Sequence, residues 1–515
     1  MKKPNRRGAA ALAAGSALAA LLIAGCSSGS ASTSATAKAN GSGTLVFGIT
    51  ADATQLVPWT ATAVESTEVL QQLYSTLLDT DANGNLIPGL AGLPTISNGG
   101  DTYTFTLKSG VKFANGAALT SADVKYTFDT IMNPASAATS ASYFASVASV
   151  TAPTPTTVVV HMKHPDSSFP AGLSTIETGI VPSGATAASL TAKPDGSGPY
   201  EFVSHVANES VTLKRNPDYY AGKPGAATLQ FRVIPDDQSM VSALRTGAVD
   251  VAIFTDPVTA KTATSGSVTI DKAGSLQYHV LQLSAASPVL SNVNTRLAIQ
   301  CAISRTSVID SAALGAGQVT GPITSPQYKS DPNDQPCPTQ NLAKAKQYLA
   351  KAGQPNGFSL NLITSQGLYA SAVDEAQSIQ SQLGQIGIKV NVQTLSSSAY
   401  VSDWLSGNFQ AAIAENSGSI DPNTMYARYF TSTGSFNKVA GFSSPTLDSL
   451  FAQGIATANA SQRKAIYQQI SQQLVDNAAW VWLYTPEYYI AVNTGVQGFQ
   501  ARTDADLSML WKASI

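Results

Sequence analysis

Four histidines, His161, His164, His205 and His279, are all that this 515-residue chain offers for proton transfer near neutral pH. His161 and His164 stand three apart at the end of a strand-like run, beside Pro165. That spacing can ligate a metal, but no carboxylate or thiolate shares the motif, so a solvated strand end explains it. His279 lies on an alternating stretch and reads as a structural histidine. Asp236 and Asp237 follow Pro235 and read as a solvated turn, not an acid–base pair. No Gly-x-Ser-x-Gly nucleophile elbow stands between a strand and a helix, and neither a P-loop nor His-Glu-x-x-His occurs. Nothing here predicts catalysis, a metal or any other cofactor.

The ends of the chain set the compartment. Lys2, Lys3, Arg6 and Arg7 precede an apolar run from Ala9 to Ala24, the shape of a signal peptide and too short for a confident membrane span. Ile23-Ala24-Gly25-Cys26 resembles a bacterial lipobox, which would leave Cys26 lipidated; two or three acyl chains then suffice for stable anchoring. The alternative is a secreted protein in which Cys26 is incidental. Residues 27–43 are nearly all Ser, Ala, Gly, Thr and Asn and read as a flexible tether with a typical span of roughly 20–25 Å. Lys and Arg number 30 against 32 Asp and Glu. Four of the basic residues belong to the leader, so the remainder is net acidic and nucleic acid is not expected as a partner. Cys301, on a helical pattern, and Cys337, in a Pro/Asp/Asn-rich loop, are expected to form a disulfide in an exported chain, the alternative being two unpaired thiols. Closing that loop would contribute ~3–4 kcal/mol.

About 470 residues remain after the tether, enough for two or three lobes. Leu45, Phe47 and Ile49 alternate as a first strand, and Glu65 to Leu78 carries helical spacing. Tyr103, Phe105 and Leu107 alternate, Gly110 and Asn115-Gly116 mark turns, and Thr120 with Asp123 has the spacing of a capping box opening a helix with Val124, Phe128 and Ile131. Tyr200 to Val203 and Val211 to Arg215 read as a strand pair, and Gln238 to Thr246 as a helix ended by Gly247. Thr295 to Asp310 looks helical, and Asn341 caps a helix that ends at Gly353. Phe358 to Ile363, Ser371 to Ile386 and Ile388 to Leu395 form a strand-helix-strand unit, which implies a parallel sheet. Helix Ser461 to Asp476 precedes the aromatic strand Trp480 to Tyr484, whose Trp480 and Trp482 read as core.

The stretch from Gly100 to Phe128 resembles the signature of the extracytoplasmic solute-binding proteins, family 5, of peptide and nickel ABC importers. Asn85 to Ala91 and Asn216-Pro217-Asp218-Tyr219-Tyr220 resemble the family as well, and the likeness spans nearly the whole mature body. It implies an α/β, periplasmic-binding-protein-like fold: two lobes joined by a hinge, the first enlarged by an extra subdomain. The expected division is residues 1–25 as signal peptide and 26–43 as lipidated Cys and tether. Lobe 1 takes 44–280 with the subdomain at about 60–190, lobe 2 takes 281–485, and 486–515 returns to lobe 1. The hinge would lie near Tyr278 and Pro486.

A binding protein needs a cleft with aromatics, a few polar groups and a closing hinge. Trp59, Tyr278 and Tyr369 are the aromatic candidates. In peptide-binding relatives the ligand's amine pairs with an Asp three residues before an Asp-Pro step. Asp421-Pro422 matches that step, but Gly418 holds the anchor position and Glu415 stands where those relatives carry Trp. The Arg that dipeptide-binding relatives use for a ligand carboxylate corresponds to Gln366. Losing both partners argues against a short zwitterionic peptide held by its termini, although Glu415 could take the amine from a shifted position. Asp421 is expected to brace its own loop. The implied role is a lipid-anchored, monomeric receptor at the outer face of the cell membrane, passing a peptide-like solute to an ABC permease and its ATPase. The alternatives are a non-peptide solute such as an oligosaccharide, an exported hydrolase, and a surface sensor or adhesin.

Overall fold

The computed structural model describes residues 43–515; Cys26, the leader and most of the tether lie outside the described residues. Two mixed sheets organise the molecule. The larger has seven strands in the spatial order Val268–Gly274, Glu487–Asn493, Val251–Phe254, Thr44–Ile49, Thr228–Val233, Ser210–Arg215 and Tyr200–Val206. Its central strand Thr44–Ile49 runs parallel to both neighbours, and Leu45, Phe47 and Ile49 are buried. The Asp250 carboxylate accepts from the Val46 amide at 2.8 Å, tying two of these strands together at their entry.

The second sheet has six strands, in the order Gln318–Val319, Trp480–Thr485, Tyr278–Leu283, Ala411–Asn416, Ser359–Gln366 and Lys389–Ser396. The last two are parallel and joined by the helix Ala372–Gly384. Both faces of this sheet are covered, and the period of two along a strand sorts side chains between two cores. Val481 and Leu483 enter one cluster with Leu281 and Leu283, while Trp480 and Trp482 enter the other with Tyr278 and Val280.

An antiparallel four-stranded sheet enlarges the first lobe, in the order Thr95–Ser97, Thr102–Thr106, Thr157–Met162 and Val147–Thr154. The helix Ser121–Met132 packs on it through Val124, Phe128 and Ile131, and its start is a true capping box: the Asp123 carboxylate accepts from the Thr120 amide at 2.8 Å. This sheet shares one continuous apolar core with the seven-stranded sheet. Cys301 and Cys337 are joined by a disulfide on the second lobe. None of the described helices is long and apolar enough to cross a membrane.

Two elements differ from the periodic pattern. The helix expected over 65–78 runs only Val64–Leu73, because Gly196 and Gly198 bring the 194–199 loop directly onto its end. The Gly198 amide donates to the Leu73 carbonyl at 3.0 Å, and Leu78 begins a strand instead. The helix expected over 295–310 is two, Val293–Ala302 and Arg305–Ala312. Ile303 is extended, and the Ser304 hydroxyl caps the second helix by accepting from the Ser307 amide at 3.2 Å.

Candidate ligand-binding site

The chain passes between the two large sheets twice within the described residues: at 275–277 and at Pro486. The strands entering and leaving these crossings pair antiparallel on both sides, Gly274 opposite Glu487 and His279 opposite Tyr484. The result is a two-stranded ribbon with a short unpaired middle, which can bend without breaking either sheet. Asp504 braces that middle. Its carboxylate accepts from the Leu276 amide at 2.8 Å and the Ser275 hydroxyl at 3.0 Å.

Beside the ribbon lies a cavity of about 880 Å³. The first lobe lines it with 142–146 and 166–177, the second with 417–428 and 435–436, and the C-terminal segment with Arg502 to Asp504 and Asp506. The two walls already touch at single points, where the Ser167 amide donates to the Ile455 carbonyl at 2.8 Å and Gln327 to the Asn85 side chain at 3.1 Å.

Most charges on the walls are committed. Arg502 pairs with Asp506 at 3.2 Å, Asp166 accepts from the Ser168 amide at 2.9 Å, and Asp81 is held by Asn83 and Asn85. Two are not. Arg428, on the helix Pro422–Phe430, has no carboxylate within ion-pairing distance among the described residues. Its guanidinium lies 5.0 Å from the Tyr429 ring centre and 5.2 Å from that of Phe436. It donates only to the Met425 sulfur at 2.9 Å and marginally to the Tyr429 hydroxyl at 3.5 Å, while its buried Nε has no partner. Glu177, on the short helix Ile176–Thr178 of the first lobe, has no cation beside it among the described residues. Burial pushes its carboxyl above the ordinary range, opposed only by its own backbone and the Thr175 hydroxyl. Tyr143, also on the wall, feels both: burial and the Glu177 charge raise its hydroxyl, and Arg428 lowers it.

The model of the bacterial extracellular solute-binding proteins, family 5, matches residues 85–437, more than half of the chain. The chain belongs to this family. It is a substrate-binding protein of the ABC-transporter type and not an enzyme, and proteins of this family are exported. Family 5 relatives include the oligopeptide-binding protein AppA of Bacillus subtilis, 28% identical with 95% of each chain covered. The glutathione-binding protein GsiB of Escherichia coli is 25% identical, covering 90% of this chain and 93% of the relative. The crystal structure of the ABC transporter substrate-binding protein CtaP from Listeria monocytogenes superposes with a TM-score of 0.83 at 23% identity, covering 92% and 99% of the two chains.

In this family 5 protein the residues singled out from sequence scatter. Gly418 lines the cleft, and its bareness has a packing cause: a Cβ there would sit 2.1 Å from the Leu276 carbonyl oxygen at the hinge. Asp421 is core, not cleft wall. It caps the helix Pro422–Phe430 by accepting from the Asn423 amide at 2.9 Å and forms a buried two-pronged pair with Arg463, at 2.5 and 3.0 Å. Trp59, 3% exposed, is packed with Ile176 in the first core and supports the segment that carries Glu177 without lining the cleft. Tyr278 is fully buried and stacked on Tyr426, with ring centres 5.8 Å apart. Gln366 and Tyr369 line a separate cavity of about 640 Å³ on the second lobe. Glu415 stands opposite His279 with its carboxylate 3.9 Å from the imidazole, part of a core cluster with Glu375 and Tyr484. Neither Arg428 nor Glu177 lies in a recognisable motif, so local sequence does not mark them. The absence of any Arg between Arg305 and Arg428 speaks only against a carboxylate partner near Gln366.

Proposed function

We propose that this protein is the lipid-anchored receptor of an ABC peptide importer, closing its lobes over a peptide and delivering it to a membrane permease. The observation that carries this reading is the 880 Å³ cavity shared by walls from both lobes beside the two-stranded crossing. A peptide suits that cleft because its backbone can satisfy polar loops on both walls, such as Ser417 to Ile420 and Ser174 to Glu177. The relatives named for oligopeptide and glutathione binding favour the same ligand class. Of the candidates read from sequence, the backbone around Gly418 is assigned to ligand contact. Cys26 is assigned to lipidation and, through the 27–43 tether, to holding the receptor near its permease.

Thermal unfolding against panels of di- to nonapeptides and of oligosaccharides tests the ligand class. A cognate peptide at a hundred times its Kd stabilises by ~2.7 kcal/mol, and small-angle scattering then shows contraction. Stabilisation by sugars with none by peptides overturns the peptide reading. Cys26→Ser expressed in the native host is expected to leave the membrane fraction; retention there removes the anchor.

A further inference from the structure

Two half-buried charges line the cavity with no countercharge in ion-pairing distance among the described residues. Arg428 is held against Tyr429 and Phe436, and the acceptors within its reach, a thioether and a phenol at 3.5 Å, are poor ones for a guanidinium. Its Nε is shielded from water and makes no hydrogen bond. A donor shielded from water and left without an acceptor is unfavourable, and native structures keep such groups where something else completes them. Glu177 lines the same cavity from the first lobe, half-buried and with no cation in ion-pairing distance among the described residues. Arg502, the other arginine lining the cavity, is taken by Asp506.

Both groups line one cavity on opposite walls, and Tyr143 lies within electrostatic reach of each. We propose that Arg428 and Glu177 are the charge-recognition pair of the cleft, Arg428 taking a ligand carboxylate and Glu177 a ligand ammonium, so that the substrate class is a short peptide with both termini free. A planar guanidinium binds a carboxylate through two parallel N–H donors, and an ammonium suits a single carboxylate oxygen. Because the two groups sit on different lobes, a ligand that satisfies both joins the walls and favours closure. The cleft thus replaces the amine and carboxylate partners missing at Gly418 and Gln366 with a pair in a different place. This inference rests on the peptide-receptor reading above.

The test uses peptides as the variable, so it does not depend on any variant folding. Titration calorimetry of the purified protein is run with a set of di- to tetrapeptides having free termini, and with the same peptides C-amidated or N-acetylated. Blocking either terminus is expected to weaken binding by ~10–100-fold, the loss of one charge-assisted contact. Arg428→Gln weakens the free peptides similarly and leaves the amidated ones unchanged; Glu177→Gln does the same for the N-acetylated set. Free and blocked peptides binding within about twofold of each other would overturn the pair while leaving the peptide receptor in place. So would blocked-terminus sensitivity unaffected by Arg428→Gln and Glu177→Gln. Binding of no peptide in any form overturns both readings.

Discussion

Arg463 and Arg428 are both cations of the second lobe on helices around one core, and they are treated in opposite ways. Arg463 is 4% exposed and fully engaged: Nε donates to the Gly454 carbonyl at 2.8 Å, Nη1 to Asp421 at 2.5 Å and the Tyr328 hydroxyl at 2.9 Å, and Nη2 to Asp421 at 3.0 Å. Arg428 has no carboxylate within ion-pairing distance among the described residues. A charge placed for folding is surrounded until every donor is used; a charge placed for a ligand is shaped and left open. The same contrast separates the two acidic groups, Asp421 locked into a cap and an ion pair, Glu177 in the cleft with no cation beside it among the described residues.

Breaking the committed pair has the largest expected effect. Arg463→Met leaves Asp421 buried without its countercharge and costs ~3–5 kcal/mol in urea unfolding. Arg428→Gln, by the same measurement without ligand, stays within about 0.5 kcal/mol of the parent because no native ion pair is lost. Equal losses at the two sites would erase the distinction between scaffold and binding charge.

A smaller effect separates glycines at the cleft from glycines elsewhere. Gly418→Ala drives a methyl into the Leu276 carbonyl, a backbone atom that cannot swing away, and is expected to cost ~1–3 kcal/mol. Gly384→Ala, on the helix Ala372–Gly384 with no atom within 4 Å of the new methyl, is expected to be neutral or to stabilise by ~0.5–1 kcal/mol. Gly418→Asp suffers the same collision, so it cannot restore the amine anchor that relatives carry there. A calorimetric gain in affinity for free-amine peptides in that variant would refute the packing explanation.

Local rules carried much of the architecture. The capping box at Thr120 and Asp123, Asn341 as the cap of Leu342–Lys351, and the parallel pair flanking Ala372–Gly384 follow from residue types at short spacing. Strands with both faces buried, such as Trp480–Thr485, were legible as strands but not as the seam between two cores, since which neighbour each face meets is a long-range fact. The helix end at Leu73 is fixed by a glycine loop more than 120 residues later. The site was least legible for the same reason. Motif positions such as Asp421 went to scaffolding, and Arg428 and Glu177 become a pair only when two lobes face each other.

The smallest effect concerns a third buried charge, His279, and asks whether a core cation must be satisfied at every pH. His279 is buried at the hinge end of the strand Tyr278–Leu283, its ring stacked 4.3 Å from that of Tyr484 and edge-on to Tyr369. Burial alone would lower its pKa, but the Glu375 carboxylate at 2.8 Å and that of Glu415 at 3.9 Å outweigh it, so the value is raised above that of an ordinary histidine. A raised value in the folded state means the native protein holds this proton more tightly than the unfolded chain does. The stabilisation is therefore complete below the unfolded value of about 6.5 and is lost as pH rises through the folded one. Melting temperatures from about pH 6 to about pH 9 should show the parent losing its advantage over His279→Gln as pH rises, because the variant cannot titrate there. A difference that stays constant across the range would mean that His279 is neutral in the native protein. Glu375 and Glu415 would then stand, like Glu177, as carboxylates without a countercharge, and the line drawn between core and cleft would lie elsewhere.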